Sequence, residues 1–165
     1  MSKSVLIVMG SKSDMEVMDE AAKILSSLEI PNRVRIASAH RTPEVVSEIA
    51  KGARDEDVAV IIAGAGYAAH LAGVIASTTT LPVIGVPIAS SDLNGIDALL
   101  STVQMPPGIP VATVGIGGAG AKNAALLAAE ILAVSDEEIA KRLEEYRNEM
   151  RLKVIEADSE IGELG

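Results

Sequence analysis

The sequence predicts an α/β protein: a parallel sheet of about five strands between two helical layers, closed by one long C-terminal helix. Three observations carry this. Short β-branched runs alternate with longer runs of helical periodicity about five times. The runs Val5–Met9 and Val58–Ala63 are apolar throughout, as strands covered on both faces should be. The 165 residues, 48% of them apolar, fit one domain of ordinary size with a real core.

The elements follow in order. Val5–Met9 is the first strand. Asp14–Leu28 repeats Met15, Met18, Ala22 and Leu25 at helical spacing, and Pro31 marks the turn after it. Arg33–Ala37 is a second strand, alternating and less apolar, which places it nearer an edge. Thr42 is set to cap a helix that begins at Pro43, a favoured first-turn residue, and that buries Val45, Val46, Ile49 and Ala50. Val58–Ala63 is the third strand and Ala68–Ser77 a short helix of small residues. Pro82–Val86 is the fourth strand, Leu93–Val103 a helix, and Gln104–Pro110 a proline-glycine loop. Val111–Val114 is the fifth strand and Lys122–Leu132 an alanine-rich helix. Right-handed crossovers make this a three-layer sandwich.

The last thirty residues differ. Ser135-Asp136-Glu137-Glu138 reads as a capping box, with Ser135 as the cap. One apolar stripe then runs through Ile139, Leu143, Tyr146, Met150, Val154 and Ala157. A helix of about 25 residues would reach nearly 40 Å, more than the sheet needs for cover. Residues 1–134 are therefore expected to form the α/β domain. Residues 135–165 are expected to be a helical extension of it that packs on neighbouring subunits.

Composition narrows the function. A net charge of -9 argues against nucleic acid and membrane surfaces, both of which favour basic patches. The absence of cysteine excludes disulfides, thiolate metal sites and a cysteine nucleophile. Two tyrosines are the whole aromatic complement, so no platform exists for stacking bases or a flavin. Two histidines do not make a histidine-rich metal site. No apolar run approaches the roughly 18 residues of a membrane span, and the N-terminus lacks a signal-peptide pattern. The expectation is a cytoplasmic protein acting on a small molecule.

Gly115-Ile116-Gly117-Gly118-Ala119-Gly120 matches the glycine spacing of a dinucleotide fingerprint. That fingerprint belongs to a first βαβ unit and needs an acidic residue after the next strand. No strand follows here, so the run reads as a tight turn that brings a helix close to the sheet. Met9-Gly10-Ser11-Lys12-Ser13-Asp14 joins the first strand to the first helix. Its glycine, two hydroxyls and helix N-terminus suit a phosphate, and Asp14 is placed to cap the helix or to bind sugar hydroxyls. Plain helix capping explains the same residues equally well. Ser38-Ala39-His40-Arg41-Thr42-Pro43 follows the second strand. Ligands of open parallel sheets bind beyond the carboxyl ends of strands, so the two loops should lie side by side. Arg41 offers paired hydrogen bonds to phosphate, and His40 is a titratable group beside it. Gly64-Ala65-Gly66, after the third strand, leaves room for a ligand and leads to His70.

Together with Leu93-Asn94-Gly95, Val103-Gln104-Met105-Pro106 through Gly108-Ile109-Pro110, and Ala121-Lys122-Asn123-Ala124, these motifs resemble, in order and spacing, the PurE family of de novo purine synthesis. The likeness runs from about Val5 to Leu132. It implies a flavodoxin-like fold, a homo-octamer with sites at subunit junctions, and no cofactor or metal. The implied activity is that of the class I mutase, which converts 5-(carboxyamino)imidazole ribonucleotide into 4-carboxy-5-aminoimidazole ribonucleotide. It also implies roles. Ser11 and Arg41 would hold the ribotide phosphate, Ser38 would support the same pocket, Asp14 would hold the ribose, and Ser13 is expected among the substrate-binding residues. Gly66, Ala69, His70 and Leu71 would wall the pocket for the migrating carboxyl group, and His40 would be the general acid and base. Tyr67 stands where the family commonly has glycine, and Ala72 replaces its usual proline; Ala89, Asp92, Gly117 and Gly118 also vary from its pattern. Two other functions are open to the same residues: direct carboxylation of aminoimidazole ribonucleotide by carbon dioxide (class II), and non-catalytic ribotide binding.

Overall fold

A computed structural model of the chain describes residues 3–162. Met1-Ser2 and residues 163–165, at the two ends of the regions assigned above, lie outside the described residues. The elements are β1 (Ser4–Met9), a 3-10 turn (Lys12–Asp14), α1 (Met15–Ser27), β2 (Asn32–Ile36), α2 (Pro43–Gly52), β3 (Val58–Gly66) and α3 (Leu71–Ala76). There follow β4 (Val83–Ile88), α4 (Ile96–Val103), β5 (Ala112–Thr113), α5 (Gly117–Ala133) and α6 (Glu137–Gly162). The five strands form one sheet in the order β2-β1-β3-β4-β5, and every pairing is parallel. This is the flavodoxin-like strand order.

The core has two halves, one on each face of the sheet. Val5, Ile7, Met9, Val60 and Ile62 point to the side of α1, α5 and the start of α6. Leu6, Val8, Ile61, Ala63 and Val83 point to the side of α2 and α3. Adjacent residues of β1 and β3 thus feed opposite layers, which is why β1 from Val5 onward and β3 are apolar throughout. β2 is an edge strand as its alternation predicted, with Arg33, Val34, Arg35 and Ile36 exposed.

Four local expectations are revised. β3 runs on to Gly66, because Ala65 and Gly66 still pair with Pro87 and Ile88 of β4. Thr42 does not cap α2 with its side chain. Its hydroxyl is taken by the loop before it, accepting from the Ser38 amide at 2.9 Å and donating to the Ser38 carbonyl at 3.2 Å. The cap of α6 is Asp136, not Ser135: its Oδ1 accepts from the amides of Glu138 and Ile139, each at 3.1 Å. Aspartate one position later reaches the same orphan donors that the serine was expected to reach.

The fourth revision concerns the glycine run. α5 begins at Gly117, inside it, rather than at Lys122. Gly120 lies directly on the backbone of Gly115, and a Cβ there would overlap the Gly115 carbonyl. Behind it Ala121, Ala124, Ala125, Ala128 and Ala129 are buried, so small residues let α5 sit close to α1 and the sheet. Lys122 pairs with Glu20 of α1 at 3.0 Å. The run that imitates a dinucleotide fingerprint is a packing device, and its lysine ties two helices together.

α6 leaves the domain part-way. Ile139 and Leu143 are buried against α5, and Arg142 donates to the Leu28 carbonyl at the end of α1 at 2.7 Å. From Met150 onward its apolar residues are exposed: Leu152, Val154, Ile155 and Ile161 touch no core.

Gly120→Ala should cost about 1–3 kcal/mol, the usual range for overpacking, because both clashing groups are backbone. Denaturant unfolding with an unchanged midpoint would show that α5 can shift away freely.

Candidate functional site

The connection from β1 turns toward β2, while that from β3 turns toward β4. A crevice therefore opens at the carboxyl ends of these strands, the usual ligand position in such sheets. A cavity of about 470 Å³ fills it, bounded by the loops after β1, β2, β3 and β4. A larger cleft, about 850 Å³, lies at the opposite end of the sheet around Arg54, Thr80 and Pro82. It contains neither histidine and none of the loops that follow the strands, so the smaller cavity is the candidate site.

The β1 loop is organised by Ser11. Its Oγ accepts from the Ser13 amide at 3.3 Å and from the Ser13 hydroxyl at 3.0 Å, making it the cap of the 3-10 turn. The capping residue thus also lines the cavity. Asp14 follows at the N-cap position of α1 but makes no side-chain capping bond. It is 5% exposed, lines the cavity and lies against Gly10. Burial pushes its carboxyl above the usual carboxylate range, while the Ser11 amide and the Arg41 charge pull it back down.

The β2 loop is organised by Ser38 and Arg41. Ser38 Oγ accepts from the Arg41 amide at 3.3 Å and from Arg41 Nε at 3.2 Å. Arg41 Nη2 donates to the Gly10 carbonyl at 2.9 Å. The guanidinium thus bridges two loops and is held before any ligand arrives. Two of its five N–H groups are used, and the others remain for an anion.

His40, next in the loop, meets His70: His40 Nε2 lies 2.7 Å from His70 Nδ1. His70 stands at the N-cap of α3 without a side-chain capping bond. Leu71 is buried and forms part of the cavity floor. Gly66 lines the wall, where a Cβ would strike the Ser90 side chain. Ala69 alone of the expected site residues does not line the cavity; it is buried behind it, with its amide donating to Ser101 Oγ at 2.9 Å. All the others, Ser11, Ser13, Asp14, Ser38, His40, Arg41, Gly66, His70 and Leu71, share one cavity.

Sequence reasoning passed over Ser90, which lines the cavity just beyond β4. The carboxyl-end rule, applied to the fourth strand as it was to the first three, would have found it. Tyr67 also lines the rim, 62% exposed. Its φ of 54° lies in the left-handed region, which glycine adopts without steric cost. Tyrosine there carries about 1–2 kcal/mol of backbone strain.

Comparison with known proteins agrees with this arrangement. The family model described as AIR carboxylase matches residues 4–153. A Pyrococcus abyssi protein named N5-carboxyaminoimidazole ribonucleotide mutase is 58% identical over 96% of this chain and 90% of its own length. Its Bacillus subtilis namesake is 53% identical over 98% and 99%. Among solved structures, Treponema denticola PurE superposes with a TM-score of 0.87 at 35% identity, over 96% of this chain and 98% of that one. This α/β fold, with its cleft at the strand ends, is that of a small-molecule enzyme. The chain belongs to the AIR carboxylase family, the PurE family of the resemblance above.

The Asp14 shift has a consequence for stability. A carboxyl with a raised folded pKa favours folding below its ordinary value of 3.8, and that contribution is lost as pH rises through the raised value. Ionised Asp14 is therefore a net cost at neutral pH. Asp14→Asn should raise the melting temperature at pH 7 by a few degrees, the effect of about 1 kcal/mol in a domain this size. The gain should shrink toward pH 3. Melting curves with the opposite trend would mean that the carboxylate stabilises the loop.

Proposed function

We propose that this chain is a class I 5-(carboxyamino)imidazole ribonucleotide mutase of de novo purine biosynthesis. It is then an isomerase that moves a carboxyl group from the exocyclic nitrogen to ring carbon 4, giving 4-carboxy-5-aminoimidazole ribonucleotide. One observation carries this: an anion-suited corner of Ser11 and Arg41 faces the same cavity as His40 and His70. Relatives at 53–58% identity that bear the mutase name support it.

The proposed roles are those the family resemblance implies, and the shared cavity supports them. The ribotide phosphate sits against the free N–H groups of Arg41 and the hydroxyls of Ser11 and Ser13, with Ser38 holding the guanidinium in place. Asp14 accepts hydrogen bonds from the ribose hydroxyls; that benefit offsets the cost of burying a carboxylate. The carboxyl group leaves the exocyclic nitrogen as carbon dioxide, and that nitrogen takes a proton. Ring carbon 4 then attacks the carbon dioxide and gives up its own proton. Gly66, His70 and Leu71, backed by Ala69, wall the space where carbon dioxide waits, so recapture competes with escape. His40 supplies general acid–base catalysis to this proton exchange. These steps call for no cofactor or metal.

We place the enzyme in the cytoplasm and assign it a homo-octameric state. No helix among the described residues is long and apolar enough to cross a membrane. Two exposed apolar surfaces support assembly. One comprises Leu93, Ile96, Leu100 and Val103, in and just before α4; the other is the outer half of α6. A single chain does not cover either, and both exceed scattered surface residues in extent. On this reading residues 135–165 fasten one subunit to the next. Light scattering should give eight times the 17.0 kDa chain mass, and a chain ending at Asn148 should give a smaller species. A 17.0 kDa particle from the full chain would exclude the octamer.

A paired turnover assay tests the activity. Fresh 5-(carboxyamino)imidazole ribonucleotide alone should yield product, while aminoimidazole ribonucleotide with dissolved carbon dioxide should not support comparable turnover. Product from the second arm only would make the enzyme a direct carboxylase. His40→Asn should lower turnover by about 10²- to 10⁴-fold with ribotide still bound. Arg41→Ala should weaken ribotide binding by roughly 1.5–3 kcal/mol, the range for a charged hydrogen bond. Unchanged affinity by calorimetry would remove Arg41 from the phosphate site.

A further inference from the structure

The chain has two histidines, and they touch. They arrive on separate loops, after β2 and after β3, and their rings meet edge-on at 76° with 4.9 Å between centroids. At 2.7 Å, two facing ring nitrogens need one donor and one acceptor: two protons would repel, and two lone pairs would not bond. The contact therefore holds one proton between the imidazoles.

No structural task accounts for His70. Its ring does not cap α3. Its loop is already fixed by the Ala69 amide on Ser101 Oγ and by the Val74 amide on the His70 carbonyl. Neither imidazole has another hydrogen-bond partner among the described residues, and both are exposed to the cavity.

The reaction has a matching requirement. It needs a proton delivered at one position of the substrate and a proton removed at the neighbouring one, with no net change. We propose that His70 is a second catalytic residue and that His40 and His70 move this proton as a unit. This rests on the mutase reading. When the carboxyl carbon–nitrogen bond breaks, its electron pair stays on the exocyclic nitrogen, which takes the proton of one imidazole. When ring carbon 4 bonds to carbon dioxide, its C–H electrons return to the ring and its proton passes to the other imidazole. Transfer across the 2.7 Å contact restores the starting state. One proton leaves the pair and one returns, and no oxidant or reductant is needed.

The test compares His70→Asn with His70→Ala in the full chain. Asparagine places an amide where Nδ1 lies, keeping a partner for His40 but carrying no transferable proton; alanine removes both. Turnover uses the carboxyamino ribotide, and calorimetry with aminoimidazole ribonucleotide reports folding and binding. Both variants should bind within about threefold of the parent while kcat falls by at least about 10²-fold, the ordinary worth of general acid–base catalysis. Added imidazole should restore part of the activity to His70→Ala and none to His70→Asn. If His70→Asn turns over within about threefold of the parent, the ring only positions His40 and the relay is wrong. If affinity falls in step with kcat, His70 is a binding residue and the relay is again wrong. An unmutated chain that makes no product overturns the mutase reading and the relay with it. An active parent with an active His70→Asn overturns the relay alone.

Discussion

The central pairing of β1 with β3 is the constraint on which the molecule depends. These strands lie side by side with the chain leaving them in opposite directions, and each is buried on both faces. Burial on two sides demands apolar side chains, and beyond Ser4 at the start of β1 neither strand carries a polar one. Chemistry is displaced to their carboxyl ends. There the departing loops separate, and the gap between them is the cavity. The same pairing also sets the shape of that gap: Met9 is level with Gly64 and with Ile36, so β1 and β2 end at one height while β3 runs two residues further, to Gly66, before its loop departs. Ser11, His40 and His70 can then meet, though each comes from a different loop.

That arrangement is secured by polar contacts between loops. Arg41 reaches from the β2 loop to the Gly10 carbonyl of the β1 loop, and His40 reaches from the β2 loop to His70 beyond β3. The loop of the edge strand thus grips the other two through adjacent residues. Side chains on flexible loops normally lose binding energy to ordering. Here Ser38 and Gly10 already order the guanidinium, so an anion meets a donor set whose entropy cost was met on folding. The constraint explains a local oddity as well. Thr42, which should cap α2, spends its hydroxyl on Ser38 instead, and a tightened loop takes precedence over a helix cap worth about 1 kcal/mol.

Much of this was legible in the chain. Cover and edge follow from apolar character: Val5–Met9 reads as a strand covered on both faces, and the less apolar Arg33–Ala37 run as one nearer an edge. The first three ligand loops follow from the rule that sites lie beyond strand ends. Boundaries were less legible where small residues serve two structures at once. Ala65 and Gly66 extend a strand, and Gly117 to Gly120 open a helix, because in both places absent side chains permit close backbone contact. Ser135 and Asp136 offer two rival caps one residue apart, and only the geometry of the first turn decides between them. The contact between His40 and His70 was not legible. Spacing within a loop carries no information about which ring faces which across 30 residues.

The site as one chain presents it is well ordered but open. His40, Arg41, Tyr67, Ala68 and His70 are exposed, and the walls named for the carboxyl pocket cover only its inner side. A reaction that releases carbon dioxide and must recapture it needs a roof as well as a floor, because proximity is lost once the gas diffuses away. The exposed Leu93, Ile96, Leu100 and Val103 lie in and just before α4, which follows the Ser90 loop at the same end of the sheet. In the assembly proposed above, an interface on this surface would also cover the carboxyl edge. Assembly would then be part of catalysis, and Tyr67, a strained ring on the rim, would stand where the covering subunit and the trapped carbon dioxide meet.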